Sequence, residues 1–220
     1  AYLPTYPPPL NPPTHPAIIG LLRQDWLPWV TKTVRDKYDW DYYYYGNIDG
    51  GGRRGGAAPE RAWKSFDSRP RFNNNYVGLR NRIAVLSEAF AYASFKDRIV
   101  ATSRFVEENL NFINANASRI RKVVADADAQ RIIGTRLGLR AQLAKGDVVE
   151  ILLGEVTQEK HPKDGHVMEL RKDVKTPERM PEYGTFEATE TERVPATYYI
   201  PASLTAAIDK LPAHGVETTT

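Results

Sequence analysis

Four consecutive apolar residues, Ile83-Ala84-Val85-Leu86, followed by Ser87-Glu88, restrict the fold of this chain more than any other stretch. A short run with β-branched residues and no polar interruption suits a strand buried on both faces, as in a parallel sheet. Alternation along it puts Ile83, Val85 and Ser87 on one face and Ala84, Leu86 and Glu88 on the other. Glu88 is then expected at the carboxyl end of a core strand, where open α/β sheets bind their ligands. A carboxylate there is costly unless it meets a metal, a cation or a reacting proton. A second reading stays open, in which Glu88 caps a helix or pairs with Arg80 or Arg82.

The charge is +3, from 30 basic and 27 acidic residues that are interspersed, too slight a bias to imply nucleic acid or an anionic membrane as partner. No apolar run approaches the roughly 20 residues that span a bilayer. The opening AYLPTYPPPL has neither the basic nor the apolar region of a secretory signal. With no cysteine, disulfides and thiolate metal sites are excluded and the compartment stays open. The 220 residues allow one large domain, or a domain with an appendage. The chain opens mid-motif without a methionine, so it reads as a piece of a longer protein.

Residues 1–16 carry seven prolines and are expected to be extended, as an ordered surface loop or a docking peptide, but not a helix or central strand. Thr14 and Pro16 then start a helix whose stripe is Ile18, Leu22, Trp26, Trp29, Val30, Val34 and Tyr38, kinked or split at Pro28. Tyr42 to Tyr45 favour a strand ending in a Gly46-Asn47 turn, its tyrosines more suited to the core than to stacking on sugars or bases. Asp49 to Ala58 reads as a flexible loop of the kind that borders an active-site mouth. Asp97 is expected to cap a helix with Ile99, Phe105, Val106, Leu110 and Ile113 inward and Glu107 and Glu108 outward. Asn114 to Asn116 should break it, with Arg119 to Gln130 continuing as a second helix.

From Thr135 the pattern changes. Leu137–Arg140, Val148–Val156, His166–Arg171, Thr185–Glu192 and Ala196–Pro201 predict strands of a small antiparallel module, and Ser203 a cap for a short helix to Leu211. Two regions follow, 1–134 and 135–220. The four histidines, His15, His161, His166 and His214, form no H-x-x-E or H-E-x-x-H arrangement. His161 and His166 read as a solvated hairpin tip rather than a metal site. No serine sits in a G-x-S-x-G elbow, so these residues hold no complete catalytic set.

Asn74-Asn75-Tyr76-Val77-Gly78-Leu79-Arg80-Asn81-Arg82, continued by Ile83 to Phe90, resembles the last catalytic segment of the zinc carboxypeptidase family, the carboxypeptidase A type. The resemblance implies that 1–134 is the C-terminal part of an α/β/α sandwich with a mixed, largely parallel sheet, and that 135–220 is a β-rich appendage. It implies that Glu88 is the general base on a zinc-bound water and that Tyr76 closes over the C-terminal end of a peptide or protein substrate. Arg80 is a substrate-binding candidate inside the motif, although Arg80 and Arg82 also suit structural salt bridges. The zinc ligands of that family, an H-x-x-E pair and a later histidine, would lie upstream of Ala1, the last directly before it. The chain by itself is therefore expected to hold no zinc tightly and to be inactive without its missing N-terminal half. Secretion or a periplasmic location is expected from the resemblance alone. The rival readings are a non-catalytic peptide- or glycan-binding module and an inactive carboxypeptidase homologue.

Overall fold

The computed structural model describes residues 2–48 and 60–219, so the predicted loop at Asp49–Ala58 lies outside the described residues. The proline-rich opening is not a surface loop. Its β1 (Pro4–Tyr6) is the middle strand of a sheet, and Tyr2, Leu3, Tyr6 and Leu10 are all buried. Prolines are tolerated because Pro4 opens the strand and Pro7 lies just past its end, where a missing N–H breaks no ladder.

The next helix is split as Pro28 demands. α1 (Pro16–Gly20) runs into a π-helical stretch, Leu21–Trp26, and then into α2 (Leu27–Tyr38). Pro28 has no N–H for the i→i−4 ladder, and the wider π turn absorbs the fault. His15 caps α1, its Nδ1 accepting from the Ala17 N–H at 3.2 Å. Of the predicted stripe, Ile18, Leu22, Trp26, Val30 and Val34 are buried, whereas Trp29 is exposed and Leu27, outside that stripe, is buried. Trp26 stacks on Phe112 at 4.9 Å and donates from Nε1 to Asn109 at 2.7 Å.

β2 (Tyr43–Tyr44), β3 (Asn47–Ile48) and β4 (Trp63–Lys64) are short. Tyr42 is buried among core side chains, and Tyr43 and Tyr44 are half-buried. α3 (Asn73–Leu79) precedes β5 (Glu88–Ala89). The apolar run Ile83–Leu86 is not itself a strand and is only half-buried. In the register Thr5↔Glu88 it lies opposite Pro7 to Leu10, three prolines with no N–H to extend a ladder and Leu10, whose N–H goes to Asn75. One further bond forms, from the Leu86 N–H to the Pro7 carbonyl at 3.2 Å. β5 is antiparallel to β1, not a parallel core strand, and Glu88 opens it.

α4 (Phe95–Ala129) is one helix kinked at Asn116, whose backbone leaves helical angles at φ −118° and ψ 15°. Ser94 is its cap, accepting from the Asp97 N–H at 3.1 Å, and Asp97 sits in the first turn rather than at the cap. Phe105 and Phe112 turn inward, whereas Phe95, Ile99, Val106, Leu110 and Ile113 are exposed. Glu108 is a correction to the outward expectation: it is completely buried, bridged by Lys37 at 2.9 Å and hydrogen-bonded by Tyr38 at 3.1 Å. Glu107 is exposed and pairs with Arg104.

Six strands follow: β6 (Arg136–Ala144), β7 (Val148–Leu153), β8 (Val156–Lys160), β9 (Val167–Arg171), β10 (Thr176–Tyr183) and β11 (Thr185–Arg193). Val148–Val156 is thus two strands, divided at Gly154-Glu155. β10, which carries Pro177 and Pro181, breaks the sequence pattern and was not predicted. Glu182 donates its N–H to the Asp147 carbonyl, so even positions of β10 bond to β7 and the two prolines turn away from it. Ala196–Pro201 is irregular, and α5 (Thr205–Ile208) has Leu204, not Ser203, at its cap.

The chain is therefore mixed α/β. Two sheets are mixed, in orders β2-β1-β5 and β3-β4-β10-β7, and the pairs β11-β6 and β8-β9 are antiparallel. The second sheet crosses residue 134, since β10 is parallel to β4 with Glu182↔Trp63. Tyr2, Trp63, Ile151 and Met180 form a core cluster from both sides of that position. Among the described residues, no helix is long and apolar enough to cross a membrane.

Candidate functional site

The segment that carries the family resemblance grips the proline-rich opening. The Leu10 N–H donates to Asn75 Oδ1 at 2.7 Å, and Asn74 Nδ2 donates to the Pro8 carbonyl at 3.0 Å. Asn75 Nδ2 also reaches the carbonyls of Asp67 and Arg69, at 2.9 and 3.1 Å. Both asparagines are almost fully buried. Gly78 faces Pro9: a methyl group there would stand 2.5 Å from the proline Cβ. These asparagines were not singled out from the sequence, because their partners in the opening, Pro8 and Leu10, lie 66 and 65 residues away. Asn74, Asn75 and Gly78 thus hold Pro8 to Leu10 in place just past the end of β1.

Glu88 lines a cleft of about 480 Å³, shared with Tyr2, Thr5, Tyr45, Arg61 and Tyr92. Its carboxylate is exposed and has no hydrogen bond or ion pair among the described residues. It pairs with neither Arg80 nor Arg82, and it caps no helix. Arg61 is held by Glu178 at 2.9 Å, across the cleft's edge. The Tyr2 hydroxyl accepts from the Leu152 N–H at 3.0 Å, and burial pushes it above the ordinary tyrosine range. Tyr92 is shifted upward as well, through its hydrogen bond with Glu169. The Tyr92 carbonyl accepts from the Arg171 N–H at 2.8 Å, which ties this rim to β9. Ile48 and Arg61, on either side of the undescribed stretch, both line the cleft. An uncommitted carboxylate against aromatic walls can accept a proton from water or meet a cationic group.

Tyr76 and Arg80 are brought together, but away from Glu88. The Tyr76 hydroxyl meets His214 Nδ1 at 2.8 Å, and Arg80 donates to the His214 carbonyl at 2.8 Å. Neither lines the Glu88 cleft. Arg82 makes the structural salt bridge read from the sequence, to Asp128 at 2.8 Å, and holds that carboxyl below its ordinary range. Arg69 and Arg71 both turn to Asp67, Arg69 the more closely.

His161 and His166 lie at the tip of the β8–β9 hairpin, both exposed or nearly so. Asp164 stands between them, 3.0 Å from His161 Nδ1 and 2.6 Å from His166 Nδ1. The hydrogen bond from His166 holds the Asp164 carboxyl below its ordinary range.

No protein-family profile, curated protein or solved structure matches this chain.

Proposed function

We propose that this chain is the C-terminal part of a zinc-carboxypeptidase-type hydrolase, in which the Glu88 cleft receives the C-terminal residues of a peptide or protein. The observation that carries the reading is the uncommitted Glu88 carboxylate on the wall of an aromatic cleft. In that role Glu88 takes a proton from the attacking water and returns it to the leaving amine. The sandwich with a largely parallel sheet belongs to the same proposal. The apolar residues left uncovered on α4, Phe95, Ile99, Val106 and Leu110, supply the kind of surface that a further half of such a domain needs.

The residues lining the cleft do not fit zinc, because no histidine is among them. No step of the proposal runs through a metal held by this chain; its ligands belong upstream of Ala1. The register sets a condition on that arrangement. A residue before Ala1 lies about five positions along from Thr5, roughly 17 Å if extended, so the chain must turn back there to meet Glu88.

A binding module is the second reading, favoured by the aromatic walls Tyr2, Tyr45, Trp63 and Tyr92. The two separate in a polypeptide extended upstream of Ala1 and carrying Glu88→Gln. Hydrolysis of peptides with a free C-terminus should fall by about 10²- to 10⁴-fold with KM nearly unchanged. Peptide binding without turnover in the unsubstituted protein, unaffected by Glu88→Gln, overturns the hydrolase in favour of the binding module.

A further inference from the structure

We propose that the tip of the β8–β9 hairpin is a binding site for a divalent transition metal of the zinc class, with His161, Asp164 and His166 as ligands. The ligand atoms of the three residues all lie within 4.8 Å of one another. The two imidazole rings stack at 4.8 Å and 17°, so both present Nδ1 to the same Asp164 oxygen. In a tetrahedral site with metal–ligand bonds of about 2.0–2.2 Å, neighbouring ligand atoms stand roughly 3.3 Å apart. Asp164 stands 3.0 and 2.6 Å from the two nitrogens and all three ligand atoms lie within 4.8 Å of one another, so side-chain shifts of about 1–2 Å reach that spacing.

The tip is built to hold the three residues together. The His161 N–H donates to the His166 carbonyl at 2.8 Å, and the Gly165 N–H donates to the His161 carbonyl at 2.9 Å. Gly165 sits at φ +72°, a left-handed turn that returns the chain so that His166 faces His161. Two imidazole nitrogens and one carboxylate oxygen select zinc, nickel or copper over calcium and magnesium, which favour all-oxygen shells. Three protein ligands leave a fourth position to water or to a group from outside the chain. Metal binding needs imidazole and carboxylate ligands free of protons, so protons compete with the metal and affinity falls as pH drops.

This site is separate from the hydrolase proposal. The tip lies four ladder positions, roughly 14 Å, beyond Val156 and Arg171 at the base of the hairpin. Its ligands are distinct from those expected before Ala1.

The test is titration of the whole chain with zinc by calorimetry and with cobalt(II) by visible absorption, at pH 7.5 and pH 5.5. One equivalent should bind at pH 7.5, with the intense bands of tetrahedral cobalt, and binding should weaken at pH 5.5. His161→Ala and His166→Ala should each weaken it by more than about tenfold, and the double variant should abolish it. Glu88→Gln and His214→Ala should leave it unchanged, which separates this site from any metal near the cleft. Circular dichroism checks that the variants keep the fold, which exposed tip residues should not disturb. No binding at pH 7.5, or binding that survives the double variant, overturns the proposal.

Discussion

The backbone N–H of Leu10 donates to Asn75 Oδ1 at 2.7 Å across 65 residues of chain, which makes α3 the clamp of the proline-rich opening. Asn75→Ala strands that buried donor and the carbonyls of Asp67 and Arg69. A loss of about 2–3 kcal/mol is expected from urea unfolding. Gly78→Ala forces a methyl group into the Pro9 ring and should cost about 1–3 kcal/mol. Asn73→Ala, one position before the buried pair and exposed, should be close to neutral.

Glu88→Gln should leave stability within about 0.5 kcal/mol of the parent, since the carboxylate is exposed and has no partner among the described residues. A thermal melt checks this. A large loss would mean that the residue is structural, and its use as a base would lose its support.

Buried Glu108 and half-buried Glu182 should act on stability in opposite senses as pH changes. Burial alone raises the Glu108 carboxyl, but hydrogen bonds from Lys37, Asn111 and Tyr38 outweigh it and hold the group below the ordinary range. Its contribution is therefore complete above the unfolded value and lost as pH falls through the lower folded value. Glu182 is raised, chiefly by burial and against the pull of Arg23, so its charged form opposes folding above its raised value. Unfolding measured from pH 7 to pH 3 should show Glu108→Gln flattening the acid loss. Glu182→Gln should stabilise at pH 7 and give little at pH 4.

His214→Ala removes the hydrogen-bond partner of Tyr76 at an exposed contact. Global stability should change by less than about 1 kcal/mol. Hydrogen exchange should nonetheless quicken across 211–216, where the Val216 N–H bonds to the Leu211 carbonyl. Unchanged exchange there would show that the Tyr76 contact does not hold this segment.

Periodic features were legible in the first helix, whereas in α4 only Phe105 of the expected inward stripe is buried and Ile99, Val106, Leu110 and Ile113 are exposed. Paired features were not legible. The stripe from Ile18 to Val34 and the fault at Pro28 follow from local spacing and local sterics. So does the kink in α4 at Asn116, where Nδ2 donates to the Phe112 carbonyl at 2.9 Å. The fate of Ile83–Leu86 depended on its partner. Opposite chains with free N–H groups it would have been a strand, and opposite Pro7 to Leu10 it is not. Glu108 looked solvent-facing because two of the partners that offset its burial, Lys37 and Tyr38, lie some seventy residues away. Glu88 was found through its short motif. The cleft around it was not, because Tyr2, Arg61, Tyr92 and Leu152 come from four separate segments with no common local signal.

The outer side of β10 has a consequence for solubility. Among the described residues, Thr176–Pro181 has a ladder partner in β7 alone, which leaves one flank of the strand without a described partner strand. That flank belongs to positions 177, 179 and 181, and two of these are prolines. An incoming β-strand therefore finds a single donor, the Arg179 N–H, and a charged side chain beside it. Such an edge resists the strand-to-strand association that starts aggregation, so exchanging Pro177 and Pro181 for threonine should make the folded protein more prone to self-associate.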